Sequence, residues 1–145
     1  MNHEFDNFLW PGQSIVFALS KARHLLTAEM DVALAGTGVT SSQVGTLLLL
    51  LQDMTHTSAG LSRLLRIDSG FVTRTVDRLE KQGLVRRTRD SEDRRVVSLT
   101  LTEAGRDAAA RIAEIAPEIL NQHLSGFTPA EFASLCRLLG KLLDG

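Results

Sequence analysis

Ser69, Gly70, Thr73 and Arg74 are spaced so that one face of a helix would carry all four, with Arg78 flanking it one turn on. Their chemistry is recognition rather than bond breaking. Hydroxyls donate to and accept from base edges, glycine permits close backbone approach, and arginine reaches guanine or a phosphate. A helix beginning near Ser69 would also turn its positive N-terminus toward phosphates. Five arginines follow, Arg86, Arg87, Arg89, Arg94 and Arg95, in a stretch rich in Val, Leu and Thr. They suit an adjoining phosphate backbone or a narrow minor groove.

Charge is distributed to match. The 145-residue chain has a formal net charge of -1, yet Leu61 to Arg95 holds ten of its 16 Lys and Arg residues against six of its 17 acids. That segment carries +4 and the remainder -5. One basic surface on an otherwise acidic chain fits a polyanionic partner without general stickiness. A solvated charged helix face would give the same count, so the arrangement within the segment decides.

No other chemistry finds a constellation. The chain has no G-x-S-x-G elbow, P-loop or H-E-x-x-H motif, so nothing points to an enzyme. His3, His24, His56 and His123 lack metal-ligand spacing, and neither metal nor cofactor is expected. Gly36-Thr37-Gly38 begins like a nucleotide loop, but it follows a helix, and Ser41 stands where a third glycine belongs. The single cysteine, Cys136, excludes an intramolecular disulfide and lies in a Leu-rich stretch, where a buried, inert thiol is expected. Cytoplasm is the expected compartment. Met1 to Asn7 lacks the positive start of a secretory signal, and Val32 to Gln52 is too polar to span a bilayer.

The elements that would position the basic face can be read from periodicity. Gln13 to Leu34 has apolar residues three and four apart, predicting a helix with one buried stripe. Thr40 and Gln43 form a capping box ahead of Val44 to Leu51, which is apolar nearly all round and reads as a central core helix. Thr57 or Ser58 caps a short helix of about three turns with Leu61, Leu64 and Leu65 inward. Asp68 caps the next, with Val72, Val76 and Leu79 inward and Gly83 at its end. Leu84 to Thr88 and Arg95 to Leu101 then read as a two-stranded hairpin. Thr102 caps a long helix running to about Ser125, with Pro117 placed to kink it. Thr128, Pro129 and Glu131 start the last helix, apolar around most of its circumference through Phe132, Leu135, Cys136, Leu138, Leu139, Leu142 and Leu143. Such terminal helices would bury against a second copy. The expected class is mainly α with a small β-hairpin wing: a winged helix-turn-helix unit plus terminal dimerisation helices.

At this point the sequence resembles the MarR family of bacterial transcriptional regulators. Asp93, Arg95, Leu101 and Thr102 fit the family's wing signature D-x-R-x-x-x-x-x-L-T without a gap. Gly38-Val39-Thr40 with Gln43, Val72-Thr73-Arg74, Leu79 to Arg86 and Glu103-Ala104-Gly105 extend the likeness over the middle half of the chain. The resemblance implies one domain over 1–145, with 38–104 as the DNA-binding lobe and 1–36 and 106–145 as dimerisation helices. It implies a homodimer that reads a pseudo-palindromic operator in double-stranded DNA. It takes Arg95 into the minor groove and gives Asp93 the orienting of the arginines around it.

The family reading also implies a repressor released by a small, often aromatic or phenolic acid that binds between the dimer helices and the lobe. Arg23 and His24 on the first helix are the candidate cations for such an effector pocket. Two alternatives stay open: a winged module that binds another protein, and a redox-responsive regulator using Cys136. Relatives that sense oxidants carry the reactive cysteine near the N-terminus, where this chain has none.

Overall fold

Caps set most of the helix starts. The Thr57 side chain accepts from the Gly60 N–H at 3.0 Å, Asp68 from Phe71 at 3.1 Å and Thr102 from Gly105 at 3.0 Å. Thr128 accepts from Glu131 at 3.1 Å while the Glu131 carboxylate takes the Thr128 N–H at 2.9 Å. Each bond satisfies a donor that a helix leaves open. The computed structural model describes residues 14–145 and runs α1 (Ile15–Ala33), α2 (Ser41–Leu51), α3 (Ser58–Leu65), α4 (Ser69–Lys81), β1 (Val85–Arg89), β2 (Val97–Leu101), α5 (Glu103–Leu124) and α6 (Pro129–Asp144). The expectations for Met1 to Asn7 and for His3 lie outside the described residues. Among those described, no helix is long and apolar enough to cross a membrane.

The apolar α2 is central, packed against α1, α3, α4, α5 and β2. Around it Leu47, Leu61, Val72, Val76, Leu79 and Leu99 are fully buried, and α5 adds Ala109 and Ile112 to the same core. Gln43 is buried without being orphaned: its Oε1 accepts from the Thr40 N–H at 3.1 Å, and its Nε2 donates to Gln82 Oε1 at 3.0 Å. A further α2 cap comes from α1. The Ser41 N–H and hydroxyl donate to the two Asp31 carboxylate oxygens at 2.6 and 3.0 Å.

Strands β1 and β2 pair antiparallel from Val85↔Leu101 to Arg89↔Val97. A lone hairpin is marginal in water, and this one is tied down at its base. Thr102 donates its N–H to the Leu84 carbonyl at 3.0 Å and its hydroxyl to the Gly83 carbonyl at 2.6 Å. Gly83 adopts φ +73°, the left-handed conformation that lets the chain reverse out of α4. Gly105 brings α5 against the same junction so closely that a Cβ there would sit 1.9 Å from the Leu84 carbonyl oxygen.

Several expectations change. No residue of α1 is buried, and Ile15, Val16, Leu19 and Leu25 are exposed. The described chain packs mainly α2 and α5 against it, and the half-buried positions, Leu26, Thr27, Glu29 and Met30, lie in its C-terminal half. Helix α3 has eight residues, about two turns rather than three, and Leu64 faces solvent while Leu61 and Leu65 face inward. Helix α5 continues through Pro117. No residue of α6 is buried, so Cys136 is exposed rather than enclosed among leucines.

Candidate nucleic-acid interface

Helix α4 buries Val72, Thr75, Val76 and Leu79. At about 100° per residue, that leaves Gly70, Arg74, Asp77 and Lys81 at the centre of the outer face. Ser69 and Thr73 lie toward one flank with Glu80, and Arg78 lies toward the other. Ser69, Thr73, Arg74 and Arg78 are exposed and Gly70 is half-buried. The Thr73 hydroxyl donates to the Ser69 carbonyl at 2.9 Å, which leaves its oxygen free to accept. A Cβ at position 70 would lie 3.1 Å from an Asp68 carboxylate oxygen and 3.3 Å from an Arg74 guanidinium nitrogen, so Gly70 makes room for both side chains. The start of α4 carries the expected cap, with the Asp68 carboxylate accepting from the Phe71 N–H. A phosphate there would meet that charge.

The hairpin tip is built by short side-chain bonds. Asp90 Oδ1 accepts from the Glu92 N–H at 2.7 Å and the Asp93 N–H at 3.3 Å, and the Asp90 N–H returns to the Val96 carbonyl at 3.0 Å. Asp93 Oδ1 accepts from the Arg95 N–H at 3.0 Å and from its Nε at 3.3 Å. That carboxylate therefore aims the Arg95 guanidinium while the side chain stays 93% exposed. Arg89 donates to the Arg94 carbonyl at 2.8 Å. Arg89, Arg94 and Arg95 thus gather at one exposed tip, and Asp93 touches only Arg95 among them.

The other two wing arginines stand apart. Arg86 lies at the base beside Glu80, Gly83, Glu103 and Asp107, in an open groove of about 750 Å³. Arg87 turns back onto α4: its guanidinium meets Asp77 Oδ1 at 2.7 Å and Glu80 Oε1 at 3.0 Å, and its main-chain N–H donates to Glu80 Oε2 at 3.2 Å. Burial alone would lower its pKa, but hydrogen bonding to Asp77 and Glu80, with their charges, outweighs that and raises it above the ordinary arginine value. The expectation of a DNA contact there meets a guanidinium already engaged by two carboxylates. The signal was present in the sequence as an acid pair three residues apart near the end of α4. Arg63 and Arg66, absent from the expected set, add exposed cations on the helix-turn-helix, with Arg66 in the left-handed turn after α3.

Of the two candidate effector residues, Arg23 lines a cleft of about 440 Å³ with Thr27, Ser41, Ser42, Gly45 and Phe71, and His24 does not. The cleft lies where α1 meets α2 and the start of α4. No group of three or more His, Cys, Asp or Glu able to hold a metal occurs among the described residues.

Comparison with known proteins agrees with this geometry. Residues 39–97 match the model of the MarR family. The organic hydroperoxide resistance transcriptional regulator of Bacillus subtilis (strain 168) is 34% identical over 105 residues, covering 72% of this chain and 71% of that protein. A MarR family regulator from Listeria monocytogenes, solved in complex with 26mer DNA, superposes with a TM-score of 0.84 at 21% identity, over 91% of this chain and 88% of that one. CouR from Rhodococcus jostii RHA1, solved bound to p-coumaroyl-CoA, superposes with a TM-score of 0.80 at 23% identity, over 92% and 94% of the two chains. These relatives are regulators rather than enzymes. With a winged helix-turn-helix that presents a polar helix face beside an arginine-bearing hairpin tip, the chain belongs to the MarR family of DNA-binding transcriptional regulators.

Proposed function

We propose that the protein is a homodimeric repressor of a pseudo-palindromic operator, released by a small acid. The observation that carries this reading is the pairing of two exposed surfaces in one lobe, the outer face of α4 and the arginine tip of the wing. Ser69, Gly70, Thr73 and Arg74 contact base edges in the major groove, and Arg78 a flanking phosphate. Arg94 and Arg95, with Arg89 behind them, enter the minor groove or grip its phosphates, and Arg86 adds positive charge at the base. Two lobes related by two-fold symmetry would read half-sites about one helical turn apart.

Dimerisation through 1–36 and 106–145 around the lobe 38–104 is supported by the uncovered apolar side chains of α1 and α6. Phe132, Leu138, Leu142 and Leu143 are 46–58% exposed in the single chain, and a second copy would cover them. That cover would also lie over Cys136, which works against a redox role. The cleft beside Arg23 suits a carboxylate-bearing effector, with the Thr27 and Ser42 hydroxyls as further partners and Phe71 as an apolar wall.

The test is binding of the purified protein to the intergenic DNA beside its own gene, with unrelated DNA as competitor and salt varied. Tight, competitor-resistant binding that weakens steeply with salt is expected. Weak binding, equal on both DNAs, would overturn the reading of an operator beside its own gene, and the same comparison on genome-wide sites then separates a distant operator from a protein partner.

A further inference from the structure

We propose that Arg87, Asp77 and Glu80 form a clamp that sets the angle between the recognition helix and the wing, so that two carboxylates facing the polyanion strengthen DNA binding. The inference rests on the DNA-binding reading above and assigns these three residues to positioning rather than contact.

The geometry is specific. Asp77, at the centre of the outer face of α4, and Glu80, three residues on and toward one flank, converge on one guanidinium. Glu80 holds the main chain as well as the side chain of Arg87, so it fixes the strand itself. Directly across the ladder, Leu99 is the partner of Arg87, and its N–H leaves the hairpin on the other side to reach the His56 carbonyl at 2.7 Å. One rung is therefore anchored at both edges, by α4 through Glu80 and by the α2–α3 connection through His56.

The lever explains why the angle matters. From the reversal at Leu84 to the tip at Asp90 is six residues, about 20 Å of extended strand. A swing of 10° at the base would move the tip arginines by about 3.5 Å, far more than a hydrogen bond tolerates. The rest of the base, Thr102 and Gly105 against Gly83 and Leu84, fixes where the wing starts. Among the described residues, the side-chain hydrogen bonds that join a strand of the wing to the exposed face of the recognition helix are those of the clamp. Arg87 is also poorly placed to serve DNA, with its side chain 28% exposed against 93% for Arg95.

Two models then predict opposite signs. If Asp77 and Glu80 are ordinary surface acids, or merely compete with phosphate for Arg87, replacing them with neutral isosteres removes repulsion and tightens binding. If they position the wing, the same change weakens it. The experiment measures anisotropy of labelled operator DNA with the full-length protein, using wild type, Asp77→Asn with Glu80→Gln, Arg95→Ala, and the triple variant. Thermal unfolding checks that each is folded.

About tenfold weaker binding is expected for the neutralised pair, falling to twofold or less in the Arg95→Ala background, because a tip already disabled cannot be further misplaced. Binding as tight as wild type or tighter, or an equal loss in both backgrounds, would overturn the clamp. Should wild type itself fail to bind operator DNA, the underlying DNA-binding reading fails instead. Arg87→Lys adds a geometric check: it keeps the charge but loses the forked pairing, so it too is expected to lose affinity in the Arg95 background-dependent manner of the neutralised pair. Additive loss would count against the clamp.

Discussion

The lobe and the terminal helices treat similar residues in opposite ways. Leu47, Leu61, Leu79 and Leu99 are fully buried in the lobe, whereas Leu135, Leu138, Leu139, Leu142 and Leu143 of α6 are 36–58% exposed. Each lies in an apolar stripe of its own element, so amphipathic pattern alone does not separate the two sets. The difference lies in what the chain can lay over each face. The lobe closes on itself because α2 is surrounded on several sides, while the apolar surface of α6 stays open. A helical stripe announces that something must cover it, and only packing tells whether the cover comes from the same molecule.

That contrast can be broken most forcefully at α6. Leu138→Glu with Leu142→Glu is expected to weaken self-association by at least about a thousandfold, since each dimer would bury four charges in an apolar interface. Sedimentation velocity reads the result, and an unchanged dimer mass would sink the proposed interface. Next in size, Leu61→Ala should cost about 2–5 kcal/mol of stability, seen in chemical denaturation, with the oligomer mass unaltered. Loss of the oligomer in that variant would mean that lobe and terminal helices are not separable in this way. A smaller change sharpens the picture at the wing tip. Arg95→Ala should leave unfolding unchanged and reduce the slope of log affinity against log salt by about one; an unchanged slope would remove this arginine from the phosphate contacts. Smallest, Asp31→Ala should lower stability by about 1 kcal/mol through loss of the α2 cap, measured in the same denaturation assay.

How much was legible in the sequence follows the range of the interaction involved. Asp68, Thr102 and Thr128 act within three residues, and their caps were readable from spacing. Val72, Val76 and Leu79 face inward as their spacing predicts, because one helix period decides all three. Asp31 was missed as a cap because it lies ten residues from Ser41, on another helix. Residue type alone groups Arg87 with the other wing arginines, although strand alternation places it on the same side as the buried Val85. Arg86 falls on the opposite side, at the base of the wing. Cys136 was expected among buried leucines, and α6 is uncovered in the single chain. His24 and Arg23 are neighbours in sequence, yet on a helix adjacent residues diverge by about 100°, and only Arg23 reaches the cleft.

The doubly anchored rung of the wing has a consequence in hydrogen-exchange kinetics. Leu99 is fully buried and gives its amide to the His56 carbonyl, while the Arg87 amide is held by the Glu80 carboxylate. Neither bond belongs to the hairpin ladder, so fraying of β1 from β2 at the tip leaves both intact. These two amides should therefore exchange with the slow protons of α2 and α4, whereas those of Glu92 and Asp93, held only by the Asp90 side chain, should exchange almost as fast as a free loop. The wing then has two clocks: a base that opens only when the lobe opens, and a tip free to sample a groove on its own timescale.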